Sequence, residues 1–336
     1  MQNSLKDVPA FPVRFLLDTS TACNLKCKMC LQHASHKKSG KIMPIKGIPI
    51  SKLKDILDEI KDAKSLIQPS YYGEPLMAPN FREIISLLKN MHFTLAINTN
   101  GTLFDSKICH FFVDYKIDSV SFSLDALNNE TYVAIRGFNK LEKIKASILK
   151  LLEIRGEKLY PRIGVSFCRQ EDNIIEEKQF IEFWSRYVDV IRVNALSIDG
   201  EHDMFGFHPI AKKRIPCGML YDTMPILYNG DVPICCRDYS GKYIMGNVFQ
   251  ESVSNVWNGT SFQKVRQLHE NRDWDKIPIC SNCDAWAITD YEEEVTDRFL
   301  IRKSPLMYYY NNIDRLEGWK GFLLGSHKTP NKSYLK

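Results

Sequence analysis

The sequence predicts an α/β fold: a partial, TIM-like (β/α)6 barrel followed by a smaller cysteine-bearing region. Three observations predict it. Short apolar runs of strand character alternate with helical periodicity six times within about 190 residues. Polar motifs rich in Gly, Asn, Asp and Glu follow the strand runs, where barrel-like sheets gather function. Seven of the ten cysteines fall into two groups with ligand-like spacing, 23/27/30 and 217/235/280/283. Six units cannot fill an eight-stranded barrel, so the sheet is expected to stay open.

The first strand is Val13–Asp18, and a polar, Lys-rich loop follows over 31–50. Ser51 is expected to cap a helix carrying Leu53, Ile56, Leu57 and Ile60 at helical spacing. The strand Ser65–Gln68 leads to the turn Tyr71-Tyr72-Gly73-Glu74-Pro75 and a helix with Phe81, Ile84, Ile85, Leu87 and Leu88 on one side. Strand Thr94–Asn98 runs into Thr99-Asn100-Gly101, and a helix over Ile108–Val113 precedes strand Ser119–Asp125. A helix over 141–155, strand Arg162–Phe167, a helix around Glu176–Tyr187 and strand Val188–Asn194 complete the alternation. Strands separated by helices imply parallel βαβ units with right-handed connections.

The alternation stops after Asp199-Gly200, and 201–216, with His202, His208 and Pro209, reads as a linker. Two apolar runs around Asn229-Gly230 predict a β-hairpin that carries Cys235 back towards Cys217. A helix from about Ser261 to His269 leads to Cys280-Ser281-Asn282-Cys283. Residues 291–336, with Tyr308-Tyr309-Tyr310, Trp319 and Phe322, read as a packed helix and a frayed tail of no assigned role. The domains are therefore expected at 1–200, 201–290 and 291–336.

The totals narrow the function. A net charge of +5 spread over 336 residues lacks the clustered basic stripe of a nucleic-acid binder. The N-terminal apolar run is short and broken by Pro12 and Arg14, so no signal peptide is expected. No stretch has the length of a transmembrane helix, so no membrane partner is expected. The chain is not Cys-dense enough for a disulfide framework, and a reducing cytoplasm is the expected setting.

Cys23-Asn24-Leu25-Lys26-Cys27-Lys28-Met29-Cys30 holds three thiols without a fourth close by. Thiolates hold iron–sulfur clusters, usually in fours, so three leave one iron open. Zinc with His33 or His36 as further ligands, or three buried thiols, are the competing readings. The spacing Cys-x3-Cys-x2-Cys, in the variant Cys-Asn-Leu-x-Cys, resembles the radical S-adenosylmethionine (SAM) enzymes. The resemblance implies a 4Fe–4S cluster on Cys23, Cys27 and Cys30 whose open iron binds SAM and cleaves it to a 5′-deoxyadenosyl radical. It also implies a flavodoxin- or ferredoxin-type electron donor.

The strand ends carry the matching cofactor motifs. Tyr72-Gly73-Glu74-Pro75 resembles the family's Gly-Gly-Glu-Pro, with Tyr72 in place of the first glycine, and implies that Gly73 and Glu74 position the SAM amino group. Asn98 and Asn100 resemble the third-strand motif, although Asn-Gly is also ordinary turn chemistry. Ser123 and Asp125 share a face by strand period and resemble residues that bind the ribose or methionine end. Arg136 resembles an arginine that pairs with the SAM carboxylate, as its fork suits; a solvated helix position is the alternative. Asn194 ends the sixth strand and could face the adenine.

Cys217, Cys235, Cys280 and Cys283 supply four thiolates, enough to saturate a second 4Fe–4S cluster, while a zinc ribbon is the rival. With Gly230-x4-Cys235, Met245-Gly246-Asn247-Val248 and Val256-Trp257-Asn258, the region resembles the SPASM/twitch extension of some radical SAM enzymes. No cysteine follows Cys283, which matches the twitch type with one auxiliary cluster. In sulfatase-maturing relatives an Asp acting as base follows the second ligand; here Cys236 stands there, and Asp238 is the nearest acid. Adjacent Cys235 and Cys236 are expected on opposite faces of a strand. Cys109 reads as core, and Cys168, at a strand end, either as buried or as a hydrogen-atom donor. The expected reaction is hydrogen abstraction from a sugar or aminosugar alcohol or a peptide, followed by oxidation. Redox-neutral epimerisation, peptide modification and a non-catalytic metal-binding scaffold are the alternatives.

Overall fold

The computed structural model describes residues 8–30, 45–196, 213–239 and 241–316. His33, His36, His202, His208, Trp319 and Phe322 lie outside the described residues. The chain divides into two units, residues 1–23, 41–95 and 197–289 in one and 24–40, 96–196 and 290–336 in the other.

In the first unit, β1 (Arg14–Leu17) lies between two parallel partners, β2 (Leu66–Gln68) and β7 (Thr223–Ile226). β2 pairs in turn with Thr94 and Leu95 of β3 (Thr94–Thr99). Helices α1 (Ile50–Ile60) and α2 (Phe81–Asn90) bury Leu53/Ile56/Leu57/Ile60 and Phe81/Ile84/Ile85/Leu88 of the stripes read from the sequence, while Leu87 is only half-buried. The expected cap at Ser51 is displaced. Pro49 holds the N-cap position with φ −58°, which turns the chain into the helix early and leaves Ser51 inside the first turn.

The expected hairpin around Asn229-Gly230 is also corrected. The turn forms, with Gly230 at φ +85° and its N–H donating to the Leu227 carbonyl at 2.9 Å. The two flanking strands nevertheless take other partners. β7 runs parallel to β1, from Arg14↔Thr223 to Leu17↔Ile226, and β8 (Asp231–Pro233) pairs antiparallel with β9 (Ile244–Asn247). The turn residues fix the reversal, but a burial-matched edge elsewhere decides the pairing. β8 ends at Pro233, which has no N–H for the ladder. Cys235 and Cys236 therefore lie in a turn, and strand alternation does not assign their directions.

In the second unit, Ala96–Thr99 of β3, β4 (Ser119–Ser123), β5 (Arg162–Arg169) and β6 (Val190–Ala195) are parallel. The connecting helices are α3 (Ser106–Asp114), α4 (Asn129–Arg136), α5 (Leu141–Arg155) and α6 (Glu177–Trp184). Helix α4 was not expected. Asn128 caps it by accepting from Thr131 N at 2.9 Å, and Gly137 closes it in the left-handed region at φ +71°. One face of this sheet packs on helices, with the Phe122 ring 4.8 Å from Phe104 and Phe167 4.9 Å from Phe180. Each such ring contributes about 1.5–3 kcal/mol of apolar burial. By strand alternation Ser121, Ser123, Ser166 and Cys168 occupy the opposite face.

The helix expected after residue 291 is replaced by three antiparallel strands. β12 (Met307–Asn312) pairs with β6, β11 (Phe299–Lys303) with β12, and β10 (Glu292–Val295) with β11. Three consecutive tyrosines favour a pleated surface, and the edge of β6 offers the partner. Asp189 ties this unit together. It accepts from Ile163 N at 2.7 Å, pairs with Arg155, and receives Arg315 Nε at 3.2 Å.

Asp18, at the end of β1, is buried, and one of its carboxylate oxygens has no partner. Loss of water raises its pKa from 3.8 to about 7, against the Tyr228 backbone N–H that favours the charged form. The folded state therefore keeps a proton that the unfolded chain releases above pH 3.8, so this group's contribution to stability falls as pH rises from about 4 to 7 and is constant above. The slope is at most about 1.4 kcal/mol per pH unit. Asp18→Asn is expected to remove this slope, seen as a larger wild-type-minus-variant stability difference at pH 4.5 than at pH 7.5 in urea titrations.

Candidate active site

The backbone that leads into Cys23 is held by close approach. A Cβ at Gly73 would lie 1.8 Å from the Ser20 carbonyl oxygen, and one at Gly47 would lie 2.1 Å from that of Thr19. Glu74 N donates to the Ala22 carbonyl at 2.7 Å, and Thr19 Oγ1 donates to the Pro69 carbonyl at 2.8 Å. Gly73 is thus the glycine of its motif that space requires, while the position of Tyr72 tolerates a side chain. Glu74 is buried and accepts from Leu76 N at 3.3 Å.

Tyr71 and Tyr72 reach the loop of the second cysteine group. Tyr71 Oη lies 3.2 Å from the Cys235 carbonyl and 3.3 Å from that of Asp238, and Tyr72 donates to the Cys236 carbonyl. Burial, then the neighbouring phenol for Tyr71 and Cys236 for Tyr72, raises both pKa values well above the usual range, so both stay donors.

Cys217, Cys235 and Cys280 pack in one cluster with Leu220, Ile234 and Ile279, and Cys283 N donates to the Cys280 carbonyl at 3.3 Å. Burial, then the nearby thiols, pushes Cys217 and Cys235 well above the usual thiol value, with Cys283 and Cys280 acting on both. Four thiols that repel one another's ionisation in a desolvated site suit a cationic cluster that releases their protons on binding. Among the described residues, no three His, Cys, Asp or Glu groups close around a single ion.

Two supports here were invisible in the sequence. Arg214 donates to the Ser281 carbonyl at 2.8 Å and the Cys280 carbonyl at 2.5 Å, and His269 Nδ1 accepts from Cys217 N at 3.3 Å. Burial, then Arg214, lowers His269 to about 4, which keeps it neutral. Cys236 Sγ lies 3.5 Å from Met219 Sδ. Asp238 is buried and accepts from Lys242 N at 2.9 Å and Tyr243 N at 2.7 Å, so both its oxygens are engaged in a turn.

In the second unit, Cys27 is buried and Cys30 half-buried. Asn24 Nδ2 donates to Thr102 Oγ1 at 2.7 Å, and Asn100 Nδ2 donates to Asn24 Oδ1 at 2.9 Å. The polar turn after β3 thus braces the cysteine loop, and Asn100 and Thr102 act through Asn24. Arg136, the last residue of α4, pairs with Asp125, and its Nη1 lies 3.5 Å from Cys27 Sγ. Burial opposes its charge, but Asp125 and then Cys27 outweigh that and hold its pKa above the usual value. Asp125 adopts φ +62°, beyond the end of β4, and its Oδ1 accepts from Cys168 N at 2.8 Å. The expected strand alternation of Ser123 and Asp125 therefore does not extend to Asp125.

Cys168 lies inside β5, opposite Asn194 of β6. Burial and then Asp125 push its thiol up to about 12, against Arg136, Arg192 and Asn194. Asn98 lies in β3 beside Ser121 of β4.

The radical SAM superfamily profile matches residues 17–164, and an iron–sulfur cluster-binding domain of the SPASM type matches residues 217–284. Residues 17–164 thus form a radical SAM domain and residues 217–284 a SPASM-type domain. It is 25% identical over 321 residues to the tungsten-containing aldehyde ferredoxin oxidoreductase cofactor-modifying protein of Pyrococcus furiosus, covering 80% of this chain and 86% of that one. It is 24% identical over 315 residues to the mycofactocin maturase MftC of Mycobacterium tuberculosis, covering 82% and 77%. The fold is shared with Streptococcus suis SuiB bound to S-adenosylmethionine, at TM-score 0.62 and 16% identity over 84% of this chain and 75% of that one. It is also shared with BtrN in complex with AdoMet and 2-DOIA, at TM-score 0.55 and 16% identity over 81% and 92%. No helix among the described residues is long and apolar enough to cross a membrane.

The glycine contact yields a sharp contrast. Gly73→Ala is expected to displace the segment before Cys23, lowering the melting temperature and abolishing SAM binding in equilibrium dialysis. Tyr72→Phe, which removes one hydrogen bond, is expected to cost only about 1 kcal/mol. Equal losses in the two variants would show that the close approach is not the constraint.

Proposed function

We propose that this enzyme cleaves S-adenosylmethionine reductively and oxidises a peptide or a small alcohol-bearing molecule with the help of one auxiliary 4Fe–4S cluster. The observation that carries this reading is the Arg136–Cys27 contact at 3.5 Å, a permanent cation against the middle thiol of the triplet, balanced by Asp125. When bound, the two clusters supply the electron that cleaves SAM and a sink for the electron that leaves the substrate. Cys23, Cys27 and Cys30 hold the first cluster, and Cys217, Cys235, Cys280 and Cys283 the second. Glu74 and Gly73 orient the SAM amino group, and Asn98, Ser123 and Asn194 offer polar contacts to the rest of the cofactor. A flavodoxin- or ferredoxin-type protein in the cytoplasm serves as donor. The names of relatives that mature mycofactocin or serve subtilosin biosynthesis support a peptide as one substrate class.

A second reading is favoured by one observation. Cys168 is held as a neutral thiol beside Asp125, the state a hydrogen-atom donor requires. In that case the product is redox-neutral.

Anaerobic reconstitution with iron and sulfide is expected to load about eight irons per chain, and about four in Cys280→Ala. With dithionite and SAM the wild type is expected to form 5′-deoxyadenosine, and deuterated candidate substrates are expected to pass label into it. Cys280→Ala is expected to lose product while retaining some SAM cleavage. Cys168→Ala and Cys236→Ala are expected to keep turnover. Product loss in Cys168→Ala at intact cluster content, with solvent deuterium in the wild-type product, selects the hydrogen-donor reading instead.

A further inference from the structure

The C-terminal strands continue a row of directly opposed residues across six strands of the second unit. Ser123 of β4 faces Ser166 of β5, and Ser166 faces Arg192 of β6. Arg192 faces Tyr309 of β12, Tyr309 faces Arg302 of β11, and Arg302 faces Glu293 of β10. Opposed residues point to the same face, here the face opposite the helix-packed Phe122 and Phe167. At about 4.8 Å per strand, Arg192 stands about 10 Å from Ser123 and Arg302 about 19 Å.

Positive charge exceeds its compensation along this row. Arg302 is 3% exposed; its Nε pairs with Glu293 at 2.7 Å, yet its buried Nη1 has no hydrogen-bond partner. Arg192 makes no ion pair among the described residues, and its Nε is buried without a partner. Burial, with Arg315, Arg155 and Arg302 close by, pulls nearby Arg162 down to about 10 even though Asp189 faces it. Buried guanidinium donors without acceptors are costly, and an oxyanion such as a carboxylate or a phosphate satisfies them bidentately.

We infer that Arg192 of β6 and Arg302 of β11, on either side of Tyr309, form the binding site for an oxyanion of the substrate, a carboxylate or a phosphate. The inference rests on the enzymatic reading above and adds the substrate's chemical class: it carries an anionic group about 10 Å or more from the position of Ser123. The strands after residue 291 thereby acquire a role in substrate recognition.

The test uses the anaerobically reconstituted protein, titrated with inorganic phosphate and, separately, with glutarate, at ionic strength held constant with sodium chloride. Melting temperature and tyrosine fluorescence report binding. Saturable binding of at least one probe is expected, weakened about tenfold or more in Arg192→Met and partly restored in Arg192→Lys. Arg302→Gln is expected to weaken it similarly; if that variant does not fold, the partly exposed Arg192 still decides. Phosphate binding alone identifies a phosphorylated substrate, and glutarate binding alone a carboxylate. No saturable response, equal affinity in Arg192→Met, or competition by saturating SAM would overturn the inference, the last by assigning the anion to SAM's own carboxylate. Binding is read without turnover, so failure to form 5′-deoxyadenosine would sink the enzymatic reading and leave this site standing.

Discussion

Arg136 and Asp125 are two charges buried against each other, and four segments depend on that pair. The aspartate sits at φ +62° just past β4 and takes the N–H of Cys168 in β5. The arginine ends α4 and reaches the thiol of Cys27. Removing either partner would strand a charge in a poorly solvated place, a loss of about 3–5 kcal/mol, whereas the intact pair adds little net stability. Its value is positional. It fixes two strand ends and a helix C-terminus against the cysteine loop in one arrangement. A backbone conformation unusual for a non-glycine residue persists there because the surroundings over-determine it.

Much of this was legible in the sequence because it is local. Strand period, helical stripes and cysteine spacing need only a few consecutive residues, and β1 to β6 fall where those signals put them. The failures share one cause, which is partner choice over long separation. Asn229-Gly230 marks a turn, but nothing near it says that β7 will seek β1, some 200 residues away. The run Tyr308-Tyr309-Tyr310 has the β-propensity of a strand, a local signal that the helix reading passed over. Helix α4 had its own markers in Asn128 and Gly137, a cap at each end.

The supporting residues show the same limit. Gly47, Thr102, Arg214 and His269 match no motif, because each acts on a backbone or amide group distant in sequence. These residues set where the motif residues stand. Asn100 moved between the two groups: read as a cofactor contact, it spends its amide on Asn24 and so orients the loop from behind.

The suppressed ionisation of Cys168 bears on durability. Peroxide and electrophiles attack the thiolate, and a thiol with a pKa near 12 is ionised to roughly one part in 10⁵ at neutral pH. Cys168 is therefore slow to enter the sulfenic–sulfinic–sulfonic ladder, even beside chemistry that oxygen readily damages. Where air strips iron without altering this sulfur, a preparation given a thiol reductant with fresh iron and sulfide would regain its metal with the Cys168 side chain unchanged.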